Sequence, residues 1–591
     1  MFQFKWLWAN MKGSRRSYII ALCLSVVCNI LYITAPYIQS VIIDRYVSNE
    51  NAVENIKNDS KGLVTLIIAM VAFTFVRTAM QYACNMYYET ASQGMIYKIR
   101  THLFRKIENQ DIAFYDRFRT GDLMTRLTGD LDMVRHMVSW VIKGAVESIA
   151  LFTASMVYFF TIDYATALCI LAVTPAILHL RKKLSKYAGP AYREVREKSS
   201  ALNTAAQENI SGNRVVKAFA REEFEKEKFR KRDEEYRSSN IKAAYVWLKY
   251  QPFIDILAGS LSVVLLLAGG FFMINRHLTM GQYVAISGLL WAVSNPLRSL
   301  GNYVNDFHRF VASAGKIVEV YYFAPMIVDR EDADTPAERL KGDIEFKNVD
   351  FSIDGKKILS DISFKINAGE TVAIMGATGS GKTSLINLIP RFYDVDKGEV
   401  LVDNKNVRMH HLHALRKNIS IATQDVLLYS DTIDSNIAFG DSSLDEEYVK
   451  KCAELSSANE FIEKLPDSYD TIVGERGVGL SGGQKQRISL ARALAVRPAV
   501  LILDDTTSAV DMETEAAIQK SLSDGLDFEC TKIIIAQRIS STRNADKIII
   551  LENGRVADIG THDELIKRDG YYRQVYELQS GDEPIKAGER V

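Results

Sequence analysis

The sequence predicts an all-α membrane domain of six helices followed by a soluble α/β domain. Three observations carry that expectation. Six apolar stretches, each close to the roughly 20 residues that cross a bilayer, occupy the first half of the chain. In the second half an apolar strand runs directly into the glycine-rich segment GATGSGKTS and then a helix. The chain has 591 residues, more than one hydrophobic core organises.

Composition narrows the function classes. Lys plus Arg and Asp plus Glu stand at 72 each, so no global charge points to nucleic acid as a partner. The mean hydropathy of -0.04 averages two unlike halves. The cysteines (Cys23, Cys28, Cys84, Cys169, Cys452, Cys530) show neither CxxC nor His-rich spacing, so neither a zinc site nor a disulfide framework is expected.

No cleavable signal peptide is expected at the N-terminus. Phe2, Phe4, Trp6 and Trp8 beside Lys5, followed by Lys12, Arg15 and Arg16, suit a short helix in the headgroup region. The expected spans are residues 18–42, 63–82, 140–162, 165–180, 253–273 and 283–300. Spans three and four are joined by Asp163 and Tyr164, and five and six by a turn at residues 275–281. The other two inner connections are long, charged and helix-favouring. They carry Lys98, Arg100, Arg105, Lys106, Arg117 and Arg119, then Arg181, Lys182, Lys183 and Lys186, which the positive-inside rule places in the cytoplasm. Each is expected to turn back through a short crosspiece, at residues 111–130 and 208–219, able to touch the following domain. The loop at residues 44–61 falls outside.

Ionisable residues at membrane depth face a bundle interior or a wet cavity. Here they are Arg77, Lys143, Glu147 and Asp255. Lys143 and Glu147, four apart, can pair on one helix face. Asp255 has no basic neighbour in its own segment, which ranks it first as a contact for a cationic substrate.

The expected division is a membrane domain at 1–325, a polar linker at 326–341, the α/β domain at 342–577 and a polar tail at 578–591. Residues 371–375 form a strand that feeds Gly376, Ala377, Thr378, Gly379, Ser380, Gly381, Lys382, Thr383 and Ser384. In such a phosphate loop, main-chain N–H groups and a helix N-terminus cradle phosphates. Lys382 reaches the same phosphates, and Thr383 or Ser384 holds Mg²⁺. A second strand at residues 500–503 ends in Asp504, a carboxylate placed for the Mg²⁺ shell. Between them, Leu480, Ser481, Gly482, Gly483 and Gln484 spell LSGGQ ahead of a helix. That segment reads as a plain helix start or as a second anion site.

Phosphate loop, Gln424 after ISIATQ, GERG at residues 474–477, LSGGQ, LILDD, SAVD ending at Asp511, Gln537 and GTHDEL at residues 560–565 occur in that order. The second half thus resembles the nucleotide-binding cassette of ATP-binding-cassette (ABC) transporters. The whole chain resembles a half-transporter of their exporter type. The resemblance implies ATP and Mg²⁺ as cofactors, with Thr383, Gln424 and Asp504 at the metal and Asp505, Gln537 and Gln424 as catalytic positions. It implies that Ile353, the phosphate loop, LSGGQ and Asp511 contact nucleotide. ATP would lie between two cassettes, the phosphate loop of one facing LSGGQ of the other, so a second half-transporter is an obligatory partner. The implied setting is a plasma (bacterial inner) membrane, with the cassette and N-terminus cytoplasmic.

Three positions depart from the family pattern. Asp505 stands where Glu normally orients the attacking water, and its reach is shorter by about 1.5 Å. Gln537 replaces the usual switch His, and Ile353 the adenine-stacking aromatic. Asp505 and Gln537 serve this chain's own phosphate loop, whereas LSGGQ, which serves the partner's, is intact. A heterodimer with one weakly hydrolysing site is therefore expected, the partner chain supplying Glu and His; the alternative is a slow homodimer. The expected cargo is a small amphipathic substrate, multidrug export ranking ahead of lipid or peptide export. An ATP-gated channel or regulatory subunit is the rival from another class.

Overall fold

In the computed structural model the apolar half of the chain folds into long helices. They are α1 (Phe2–Asn10), α2 (Arg15–Tyr46), α3 (Ser60–Glu108), α5 (Thr120–Ile162), α6 (Tyr164–Ser211), α8 (Glu222–Ile274) and α9 (Met280–Tyr321), with short crosspieces α4 (Ile112–Arg117) and α7 (Asn213–Ala218). The structure describes residues 2–48, 52–275, 278–334, 339–474, 477, 479–506 and 510–580. By its contacts the chain forms two units, residues 1–109 with 119–323, and residues 110–118 with 324–591.

Among the described residues, α2, α3, α5, α6 and α8 are long and apolar enough to cross a membrane. The sixth expected span lies in α9, which is ample in length at 42 residues. Ser287, Ser294, Asn295, Arg298 and Ser299 dilute its apolar run. The physical reason is its position. Ala285, Ile286, Leu289, Leu290, Val293 and Leu297 are buried in the bundle, so only one stripe of α9 has to be apolar. Helix α2 lapses into a turn at Tyr32 and Ile33. Pro36 has no N–H for the Tyr32 carbonyl and its ring crowds that oxygen, which breaks the helix there.

Several expectations are corrected by packing. Helix α1 does not merely rest in a headgroup layer. Trp6 and Leu7 are buried, Phe4 packs on Phe307 and Phe310 of α9, and Trp6 meets Tyr321 edge-on. Lys143 and Glu147 approach to 4.0 Å as expected. Asp255, however, is not left unneutralised: Arg298 from α9 lies 3.3 Å away and Gln251 donates to both its oxygens. A partner on another helix is invisible within one segment.

The crosspieces differ. Helix α4 belongs to the second unit, where Phe114 and Phe118 are buried. Asp111 caps it through the Phe114 N–H and also accepts from the Met326 and Ile327 N–H groups, while Tyr393 donates to Asp116 at 2.8 Å. Helix α7 buries none of its residues, and Ile210, Val215 and Phe219 around it are exposed.

The second unit holds two sheets. Strands β1 (Ile344–Ile353), β2 (Lys356–Ile366), β4 (Lys397–Val402) and β5 (Lys405–Asn406) form an antiparallel sheet in the order β2-β1-β4-β5. Strands β3 (Thr371–Met375), β6 (Ile419–Ala422), β7 (Val500–Asp504), β8 (Thr531–Ile535), β9 (Lys547–Glu552) and β10 (Arg555–Gly560) form the second, in the order β10-β9-β3-β8-β7-β6. Every neighbouring pair from β9 to β6 is parallel. Register aligns their carboxyl ends: Ile374 pairs with Ile535, Ile535 with Asp504, and Ala422 with Leu503. Buried Val, Ile and Leu fill β3 and β7, as expected for strands covered on both faces.

His410 gives this unit a pH dependence. Its ring is 2% exposed, with Nε2 at 3.2 Å from the Val402 carbonyl. Burial pushes its pKa below the ordinary histidine value. The unfolded chain therefore binds the proton more readily, and stability falls as pH drops through about 6.5. Thermal unfolding followed at about pH 7.5 and about pH 5.5 should show that loss, and His410→Gln should flatten it. Equal slopes in both proteins would refute the assignment.

Candidate functional site

The carboxyl edge of the parallel sheet assembles residues far apart in sequence. The phosphate loop leaves β3, Asp504 ends β7, Gln537 follows β8, and Gln424 lies two residues beyond β6. Ligands of open α/β sheets bind at such an edge.

The loop's shape depends on glycine. Gly376 has φ 154 and Gly381 φ 101. A Cβ on Gly376 would strike the Leu551 carbonyl, and one on Gly381 would meet Leu359. Helix α10 (Lys382–Asn387) begins at Lys382. The Lys382 ammonium donates to the Gly376 and Ala377 carbonyls at 2.7 and 3.0 Å. Burial holds its pKa below the usual lysine value, opposed by Asp504 and Asp505. Thr383 Oγ1 donates to Asp504 Oδ2 at 3.3 Å. Burial lifts the pKa of Asp504, an effect that Asp505 reinforces and that Thr383 and Lys382 oppose.

These groups fit Mg-ATP. The Ser380 hydroxyl is buried without a hydrogen-bond partner inside the loop. A lysine, a threonine hydroxyl and a carboxylate form the hard-oxygen and cationic set that a magnesium phosphate requires. Thr378, Gly379 and Ser384 complete the loop, and Gln424 is exposed beyond β6.

Asp505 and Gln537 come together. Both line one small cavity with Thr506, Ala536, Arg538 and Ser541. Asp505 adopts φ 50, a left-handed conformation that costs a non-glycine residue energy and is held by its N–H donating to Ile535. Gln537 is exposed. Sequence reasoning missed Gln486, whose amide donates to the Asp505 carbonyl at 3.4 Å. Its only sequence signal is a polar residue on the buried face of the helix after LSGGQ.

LSGGQ lies on a different element. Ser481 is the N-cap of α11 (Gly482–Ala495), accepting from Gln484 N–H while Gln484 Oε1 accepts from Ser481 N–H. That reciprocal box is a sound helix start, and Ser481 and Gly482 stay exposed beside it. The helix-start reading therefore holds locally. Leu480 packs on the separate core around Ile488 and Leu494. Asp511 uses both carboxylate oxygens on Thr514, as N-cap of α12 (Met512–Asp524). Ile353 ends β1 and packs on the main core. Glu475, Arg476 and Ser508 from the family motifs, and residues 581–591 of the tail, lie outside the described residues.

Two of the cavities in the membrane unit adjoin each other. One, of about 500 Å³, is polar, lined by Asn29, Arg77, Gln81, Glu147, Asn295 and Tyr303 among others. Arg77 stands over the Tyr32 ring at 4.3 Å. The other, of about 910 Å³, is nearly all apolar, with Val141, Ile149, Phe152, Leu178, Leu297 and Phe307 in its wall. Ser148, Pro296 and Tyr303 line both. Asn29, Gln81 and Asn295 were legible only as polar interruptions of apolar helices.

Comparison with known proteins gives a uniform result. Residues 18–297 match the ABC transporter transmembrane region, and residues 359–508 match the ABC transporter domain. The chain is 37% identical over 490 residues to the uncharacterized ABC transporter ATP-binding protein YknU of Bacillus subtilis strain 168, covering 82% of this chain and 83% of that protein. It is 31% identical over 564 residues to an ATP-dependent lipid A-core flippase of Syntrophus aciditrophicus strain SB, covering 95% and 91%. YgaD of Bacillus subtilis, provisionally named a multidrug export ATP-binding/permease protein, is 31% identical over 575 residues, covering 96% and 98%. A bacterial Atm1-family ABC exporter solved with ATP bound superposes with a TM-score of 0.79 at 23% identity, over 96% of this chain and 99% of that one.

Proposed function

Since the chain belongs to the ABC transporter family, a membrane region fused to one cassette in an exporter fold, we propose that it is half of an ATP-driven exporter whose own phosphate-loop site hydrolyses ATP poorly. The observation that carries this reading is the shared cavity of Asp505 and Gln537 at neighbouring strand ends. In the family pattern these two positions handle water and γ-phosphate, and here they carry a shortened carboxylate and an uncharged amide. A positioned base contributes roughly 10²- to 10⁴-fold. Losing its reach and the switch cation leaves binding largely to Lys382, the loop N–H groups and Mg²⁺.

Ser481 opens a helix on another part of the cassette, so the sandwich is completed by a second chain. A different half-transporter with Glu and His at the two positions is the preferred partner, in a bacterial inner membrane with the cassettes cytoplasmic. Closure of the two cassettes around ATP moves the crosspieces and turns the membrane half outward. Substrate is amphipathic: a polar cavity holding Arg77 and Glu147 shares lining residues with an apolar one. Drug-like molecules are the first reading. The likeness to lipid A-core flippases supports a lipid as the second, because head and tail would find separate walls.

The test is Mg-dependent ATP turnover of the purified chain in lipid, without a partner. Turnover well below that of a Glu-containing exporter is expected, and Asp505→Glu should raise it about 10-fold or more when a competent signature motif sits opposite. Robust turnover of the unaltered chain alone would overturn the reading.

A further inference from the structure

The switch segment is held from outside by the last helix of the chain. Helix α13 (Ile539–Thr542) follows Gln537 and Arg538 and carries no side-chain cap of its own. Its first N–H would be an orphan donor. Gln579, on α14 (Tyr571–Ser580), fills that role: its Oε1 accepts from Ile539 N–H at 2.9 Å, and its Nε2 donates to the Gln537 carbonyl at 3.0 Å. One amide thus spans the main chain on both sides of Arg538, in the manner of a paired strand.

Two further contacts tie down the same segment. The Tyr572 hydroxyl, on a buried ring, lies 3.4 Å from Thr542 Oγ1 and 2.6 Å from His562 Nδ1. From the other side the Ser541 hydroxyl donates to the buried Glu515 of α12, and Arg538 lies 3.5 Å from Glu515. The Gln537 side chain itself is exposed. Its direction therefore depends on its main chain, and Gln579 is the group that bonds that main chain on the open side.

We propose that Gln579 is a positioning residue for Gln537, so that the C-terminal helix sets how tightly this chain's own phosphate loop holds ATP. This rests on the reading of Gln537 as the residue that faces the γ-phosphate. It assigns a role in the nucleotide site to a helix outside the phosphate loop and the strand ends around it.

The test uses the full chain in lipid and a fluorescent ATP analogue, measuring Kd with Mg²⁺ and thermal stability in parallel. Gln579→Ala should raise Kd about 2- to 10-fold, the worth of one or two hydrogen bonds, without a matching fall in Tm. Gln537→Ala should raise it as well. In the Gln537→Ala background Gln579→Ala should add nothing, because the group it positions is gone. Arg573→Ala, which removes ion pairs to Glu577 on the same helix and to Asp569 just before it, should leave Kd unchanged. Losses that multiply in the double variant, a silent Gln579→Ala, or an equal effect of Arg573→Ala would overturn the inference. A silent Gln537→Ala would instead remove the reading of Gln537, and the positioning role with it.

Discussion

Ser481→Arg is expected to abolish ATP turnover and substrate efflux by the assembled complex, while Gln537→Ala leaves most of both at saturating ATP. Ser481 stands exposed at the N-terminus of α11, where a γ-phosphate held by the partner would meet its hydroxyl and the first helix N–H groups. Arginine there fills the space that nucleotide must occupy and removes the N-cap, worth about 1 kcal/mol to the helix. Gln537 belongs to the site assigned to holding ATP, so its loss bears on affinity more than on rate. Turnover and vesicle efflux, measured on both variants, decide the matter. Intact turnover in Ser481→Arg with none in Gln537→Ala would reverse the assignment of working and impaired sites.

Lys382→Ala should weaken nucleotide at this chain's own loop by about 10- to 100-fold, the worth of a charge-assisted contact to phosphate. The partner's site should change far less. The Lys382 ammonium now rests on two loop carbonyls and lies in the field of Asp504 and Asp505. Removing it takes away a cation that acts on those carboxylates, so anionic phosphates are repelled as well as unbound. Photocrosslinking of an ATP analogue to each subunit separates the two sites. Equal loss on both chains would show that they are not independent.

How much of this was legible depended on the distance over which each signal acts. The phosphate loop is local: nine consecutive residues between a strand and a helix state their chemistry by spacing alone, and Asp504 is marked by the strand it ends. That β8 lies between β3 and β7, bringing Gln537 beside Asp505, is set by pairings between segments more than a hundred residues apart in part, and no local pattern carries it. Family resemblance supplied what periodicity did not. The Arg298 partner of Asp255, the seat of α1 on α9, and the grouping of α4 with the cassette are likewise contacts between distant segments. Gln579 left no trace, since an exposed glutamine near a helix end is ordinary until its two partners are known.

The residues at the sheet's carboxyl edge add little to the cores beneath them. Asp505 is only partly buried and Gln537 is exposed, whereas Ile374, Ile502 and Ile533 in the strands behind them are almost wholly enclosed. Selection for a folded cassette therefore acts on one set of codons and selection for hydrolysis on another. On the reading proposed above, one copy of a duplicated gene for such a chain could lose its water-handling pair and still be made, inserted and kept, because the LSGGQ it lends to a partner would retain a use. Reversal is equally open: two substitutions at strand ends would restore the pair without a repacking of the interior.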